Sequence, residues 1–162
     1  MQQKLIYSSF KNLFGKYNII LDRDGVLNLD TGYPHIFEKM DFNIPLLELL
    51  SKKRDGILSL HIATNQSGIA RGYFTDQEFK ENSLKLYYYL KSFNISLNSI
   101  YYCPHSPLDL CDCRKPNNGM LEAIIKDYAL TRSRVIFFGD AVTDKQAALL
   151  SRIKFRKLVY YG

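Results

Sequence analysis

Asp22-Arg-Asp24-Gly25-Val26 follows the short apolar run of residues 18–21. Two carboxyl groups two residues apart, on a loop leaving a buried strand, can divide the work of phosphoryl transfer. One attacks phosphorus and becomes phosphorylated. The other protonates the leaving oxygen, then activates the water that hydrolyses the aspartyl-phosphate. Gly25 permits the backbone turn that brings both to one place. Paired carboxylates repel a phosphate dianion, so a hard cation is required, and Mg2+ suits oxygen ligands and phosphate. Asp140 is the natural third acid, with Asp144 one helical turn further on. The same tetrapeptide, Asp-Arg-Asp-Gly, also reads as an ordinary turn. Thr64-Asn65, Arg114-Lys115 and Gly139-Asp140, at the ends of later apolar runs, weigh against that reading.

A second constellation suits a softer metal. Cys103-Pro-His105 and Cys111-Asp-Cys113 supply three thiolates and one imidazole, a closed tetrahedral set for structural Zn2+. All three cysteines of the chain lie here, which suits a metal loop better than a disulfide framework. Four protein ligands leave no open position for catalysis. Zinc would fold a loop with little core of its own, and the loop would deliver Arg114 and Lys115 to the phosphate site.

These residues need a scaffold. Residues 18–21, 57–63, 99–102, 135–138 and 155–160 read as strands. Helices are expected over residues 45–54, from the capping box Thr75-Asp-Gln-Glu78 to about Phe93, over 119–128, and after a second box, Thr143-Asp-Lys-Gln146. Such alternation predicts an α/β domain, a Rossmann-like parallel sheet with helices on both faces. Ligands of such sheets bind beyond the carboxyl ends of the strands, where Asp22, Asp24, Thr64, Asn65, Cys103 and Asp140 fall. One domain over residues 1–162 is expected, because no repeat, low-complexity stretch or linker interrupts the chain.

A net charge of +6 suits an anionic partner, although scattered Lys and Arg also serve simply to solvate a surface. No apolar run is long enough to span a membrane, and residues 1–16 lack the apolar core of a secretory signal. The expectation is a cytoplasmic monomer, with no membrane or nucleic-acid partner, acting on a small phosphorylated substrate.

Asp22-x-Asp24-Gly-Val resembles the first signature of the haloacid dehalogenase-like phosphatases. Thr64, Lys115 and Gly139-Asp140 with Asp144 resemble the other three. The resemblance implies that Asp22 is the nucleophile and Asp24 the general acid/base. It implies Mg2+ held by the Asp22 carboxylate, the Asp24 backbone carbonyl and the Asp140 carboxylate. Thr64 would hydrogen-bond the transferring phosphoryl group and Lys115 would neutralise its charge. Thr64-Asn-Gln-Ser-Gly-Ile-Ala-Arg-Gly72, Tyr102-Cys-Pro-His105, Cys111-Asp-Cys-Arg-Lys-Pro116 and Gly119-Met-Leu121 narrow the likeness. They resemble the D-glycero-D-manno-heptose-1,7-bisphosphate 7-phosphatase family, and Asp30-Thr31-Gly32-Tyr33 resembles its substrate loop. That implies substrate contacts from Asp30, Thr31, Gly32, Tyr33, Asn65, Gln66, Ser67 and Arg114. It also implies a minimal cap, with loops that choose the substrate.

Two departures keep alternatives open. The stretch between His105 and Cys111 is shorter than in many heptose enzymes and occurs in related histidinol-phosphate phosphatases. Ala141 stands where many relatives carry a Lys. A polynucleotide phosphatase and a catalytically silent, zinc-stabilised binding module are the further alternatives. His61 is expected to be a core histidine and His35 to pack in its loop. Tyr87–Tyr89 and Tyr101–Tyr102 are expected to pack the core. Arg71 either reaches the site or is solvated.

Overall fold

In the computed structural model, which describes residues 16–162, Ile19 and Leu21 face one side of a sheet and Ile20 the other. The same alternation divides Ile136 and Phe138 from Val135 and Phe137, as the two-residue period of an extended chain requires. Strands apolar on both sides must be covered twice, and they are.

The strands are β1 (Tyr17–Leu21), β2 (Ile57–Asn65), β3 (Ser99–Cys103), β4 (Val135–Gly139) and β5 (Lys154–Lys157). They pair in parallel in the order β3-β2-β1-β4-β5. Helices α1 (Ile44–Lys52) and α2 (Asp76–Ser92) contribute Leu46, Leu47, Leu49, Leu50, Leu86 and Leu90 to one core. Helices α3 (Gly119–Asp127) and α4 (Val142–Leu150) contribute Met120, Leu121, Ile124, Ala147 and Ala148 to the other. The expected parallel sheet with helices on both faces is therefore present. The order reverses at β1, whose neighbours β2 and β4 lead to opposite edges, and ligand crevices form at such a switch point.

The capping box of α2 forms as expected. Glu78 N–H donates to Thr75 Oγ1 (3.1 Å) and Thr75 N–H to Glu78 Oε2 (2.7 Å). The box expected at Thr143 does not. Ala141 occupies the cap of α4, and Asp144 Oδ2 accepts from the Ala141 N–H at 3.0 Å. The helix begins earlier because Asp144, at its third position, satisfies that backbone donor itself. The last strand ends at Lys157 rather than at residue 160. Beyond it Leu158 N–H donates to Gly139 O (2.9 Å) and Tyr160 N–H to Gly25 O (2.8 Å), so the chain leaves the ladder to cross the strand ends.

His61 is fully buried. Its ring nitrogens meet Ser99 Oγ at 2.7 Å and Ser59 Oγ at 2.8 Å, and burial pushes its pKa down to about 4. Tyr89 packs on Phe37, Phe42 and Phe93, but Tyr87 and Tyr88 are exposed and pair with each other, contrary to the expected core role. Among the described residues, no helix is long and apolar enough to cross a membrane. The segment read for a secretory signal lies outside the described residues, apart from Lys16.

Candidate active site

Asp22 leaves β1 buried beside the ends of β2 and β4, its N–H donating to Phe138 O at 2.8 Å. Its carboxyl oxygen Oδ1 accepts from the Arg23 N–H (2.8 Å) and meets Lys115 Nζ at 2.9 Å. Burial pushes the Asp22 pKa up to about 7. The Lys115 ammonium opposes the rise, and Asp144 and Asp24 add to it.

Asp140 and Asp144 complete a group of three carboxylates with Asp22, in which one oxygen from each lies within 4.8 Å of the others. Burial, then the charge of Asp144, also raise Asp140. Two glycines make room for this cluster. A Cβ on Gly25, whose φ is +80°, would stand 2.4 Å from Asp140 Oδ2, and one on Gly139 would stand 2.5 Å from Asp144 Cβ. The donor set is all oxygen, crowded and short of positive charge, which fits a hard divalent cation such as Mg2+. The Asp24 carboxylate is not part of the group. Arg23 Nε and Nη2 (2.8 and 2.9 Å), Asn28 Nδ2 (3.0 Å) and Gln66 Nε2 (2.9 Å) all donate to it.

Lys115 is 3% exposed. Burial alone would depress its ammonium, but Asp22 and Asp144, the latter at 2.7 Å, hold it above its ordinary value. Thr64 is buried at the end of β2, where its hydroxyl accepts from Gln66 Nε2 at 2.9 Å.

These groups line a cavity of about 380 Å³ together with Asp30, Gly32, Tyr33, Asn65, Gln66, Ser67, Arg114, Ala141 and Thr143. So the sequence-expected residues converge, with one exception. Thr31 is exposed and does not line the cavity. Two others line it with their side chains otherwise engaged. The Gln66 amide bridges Asp24, Thr64 and the Arg23 guanidinium, and the Asn65 amide binds the backbone of Lys115. Arg71 is exposed and lies outside the lining.

Sequence reasoning did not single out Arg23, Tyr73 or Phe74. Arg23 is buried and also donates to the Pro34 carbonyl at 2.7 Å. Tyr73 meets Tyr33 edge-on, with ring centroids 4.7 Å apart, and Phe74 stacks on His35 at 4.9 Å. A charged residue between two acids and aromatics just beyond the Thr64–Gly72 string were the available signals.

The four metal-loop donors also converge. Cys103 Sγ lies 3.5 Å from Cys111 Sγ and 3.2 Å from Cys113 Sγ, and His105 Nδ1 lies 3.2 Å from Cys113 Sγ. Bonds of about 2.3 Å to a tetrahedral zinc separate sulfurs by roughly 3.8 Å, so the set fits Zn2+ with a small expansion.

A family model described as polynucleotide kinase 3 phosphatase matches residues 30–156. A D-glycero-beta-D-manno-heptose-1,7-bisphosphate 7-phosphatase from Haemophilus ducreyi is 38% identical over 155 residues, which cover 91% of this chain and 85% of that one. The crystal structure of D,D-heptose 1.7-bisphosphate phosphatase from B. bronchiseptica, complexed with magnesium and phosphate, is similar with a TM-score of 0.78 at 31% identity. The match covers 86% of this chain and 78% of that one. That of a putative HAD-like phosphatase from Mesorhizobium loti has a TM-score of 0.72 at 32% identity, covering 83% and 68%. Identity at this level over most of both chains, on a fold whose strand ends gather the acids, makes this chain a member of the D-glycero-D-manno-heptose-1,7-bisphosphate 7-phosphatase family of HAD-like phosphatases.

Proposed function

We propose that the chain, as one domain, removes the 7-phosphate of D-glycero-D-manno-heptose 1,7-bisphosphate through an aspartyl-phosphate at Asp22. The observation that carries this reading is the buried Asp22 carboxyl held between Lys115 and two further acids at the open end of the sheet. An Asp22 oxygen attacks phosphorus and the bond from phosphorus to the sugar oxygen breaks. Asp24, held as a carboxylate by four N–H donors in this structure, must release at least one of them to carry the proton that it gives to that leaving oxygen. As a carboxylate it then takes a proton from the water that attacks the phosphoryl group and frees Asp22. Lys115 offsets charge on the phosphoryl oxygens, and the Thr64 hydroxyl donates to one of them. Mg2+ bound by Asp22, the Asp24 carbonyl and Asp140, beside Asp144, would supply positive charge for the phosphate to approach.

Asp30, Gly32, Tyr33, Ser67 and Arg114, on the cavity wall, are proposed to meet the sugar and its second phosphate. Zinc held by Cys103, His105, Cys111 and Cys113 would fix the loop that ends in Arg114 and Lys115. The convergence of the four donors supports this.

Phosphate release in the presence of Mg2+ tests the reading, with heptose 1,7-bisphosphate, histidinol phosphate and a 3′-phosphorylated oligonucleotide compared. A preference for the bisphosphate is expected. A preference for histidinol phosphate keeps the mechanism and moves the substrate, and a preference for the oligonucleotide overturns the small-substrate reading. No turnover of any ester would leave the chain a silent binding module.

A further inference from the structure

Lys115 is suspended from β2 at both ends. Its ammonium donates to the Ala63 carbonyl at 2.8 Å and meets Asp22 Oδ1 and Asp144 Oδ1 at 2.9 and 2.7 Å. Three acceptors match its three N–H groups. At the other end, the Lys115 backbone N–H donates to Asn65 Oδ1 (3.1 Å), and Asn65 Nδ2 donates to the Lys115 carbonyl (3.0 Å).

These two bonds form the donor–acceptor pair that a neighbouring strand residue would provide. No strand supplies it here, because β2 has β1 on one side and β3 on the other, and Asn65 itself pairs in register with Cys103. The Asn65 side chain takes the place of a missing strand. Removing it would leave a buried backbone donor and acceptor without these partners, so the segment would shift to find others.

The shift matters because a lysine side chain is long and its reach is set by where its Cα stands. The proposed zinc ligand Cys113 is two residues away, which leaves the backbone between them to be fixed by something else. Asn65 fixes it directly to the strand that also carries Thr64 and the Ala63 carbonyl. The same amide, expected from the sequence to touch substrate, commits one N–H and its oxygen to the Lys115 backbone.

We infer that Asn65 is the positioning residue of Lys115, acting on turnover through the Lys115 backbone. This deepens the proposed function and rests on its assignment of Lys115 to the phosphoryl group.

The test is a double-mutant cycle with p-nitrophenyl phosphate and Mg2+, a probe that does not depend on the sugar assignment. Asn65→Ala is expected to lower kcat roughly 10- to 100-fold, the loss that accompanies a misplacement of about 1 Å, with KM much less affected. In a Lys115→Ala background the same substitution should change kcat by less than about 2-fold, because the residue it acts through is gone. Equal losses in both backgrounds would overturn the inference, leaving Asn65 a general support. Wild-type kcat in Asn65→Ala would overturn it as well. Wild-type turnover in Lys115→Ala would instead sink the assignment of Lys115.

Lys115→Ala leaves two buried acids facing each other, which opposes folding, so hydrogen exchange on Asn65→Ala alone provides a second readout. Protection of the Lys115 amide should fall while that of Leu60 and Ile62 in β2 persists. Unchanged protection at Lys115 would refute the clamp.

Discussion

Gly25→Ala isolates the fit between the first acidic loop and the third acid. The new Cβ would stand 2.4 Å from Asp140 Oδ2 and 2.7 Å from its Cγ, whereas ordinary contact begins at 3.4 Å. The Asp140 carboxylate must therefore retreat by about 1 Å, which disturbs the cluster it forms with Asp22 and Asp144, and a misplacement of that size can lower turnover about 100-fold. Gly25 also has a φ of +80°, and a side chain in that region costs about 1–2 kcal/mol. For a chain of this size that is a fall in Tm of roughly 2–8 °C. Gly72→Ala separates the two effects. Its φ is +71°, but nothing lies within 4 Å of its would-be Cβ. Both variants should lose comparable Tm, while only Gly25→Ala should need roughly 10-fold or more Mg2+ for half-maximal phosphate release. The assay is a Mg2+ titration of turnover beside thermal melts without metal. Wild-type Mg2+ dependence in Gly25→Ala would refute the argument that this contact sets the metal site.

Three further outcomes follow from buried charge and from the metal loop. The Asp22 pKa is raised to about 7, so in metal-free protein the stability this group confers is full below its ordinary 3.8 and is lost as pH rises through 7. Mg2+ competes with that proton, so it should raise Tm more at pH 8 than at pH 6. Asp22→Asn should abolish turnover while raising the metal-free Tm at pH 8, and a lowered Tm there would contradict the burial argument. His61 titrates near 4, so its contribution is present above 6.5 and lost as pH falls toward 4; replacing it by Gln should flatten that acid limb in thermal melts. Cys111→Ser should lose zinc by metal analysis and lose activity through the Arg114–Lys115 segment, and full zinc retention would exclude the proposed ligand set.

Much of this was legible in the sequence for local reasons. Apolar runs such as residues 18–21 and 135–138 alternate between two cores, and Thr75 and Glu78 announce their capping box by type and spacing. Asp22, Thr64 and Asp140 could be gathered on paper because parallel strands all deliver their carboxyl ends to one edge. Less legible were the ends of elements. The last strand stops short because residues 158–160 bond to Gly139 and Gly25, neither of which is close in sequence, and α4 starts early because Asp144 caps it.

Residue types and spacing by themselves determined which groups are available: acids at strand ends, three thiolates with one imidazole, and a lysine just after them. Those follow from covalent sequence and from the short-range periodicity of strands and helices. What each polar side chain does was decided only by the tertiary structure. Asn65 and Gln66 sit side by side in a string that resembles substrate-binding segments, yet one amide carries the Lys115 backbone and the other joins Asp24 to Thr64. An amide offers donors and an acceptor in either setting. Its partner is whichever group the fold brings within 3 Å, and Lys115 is 50 residues away along the chain.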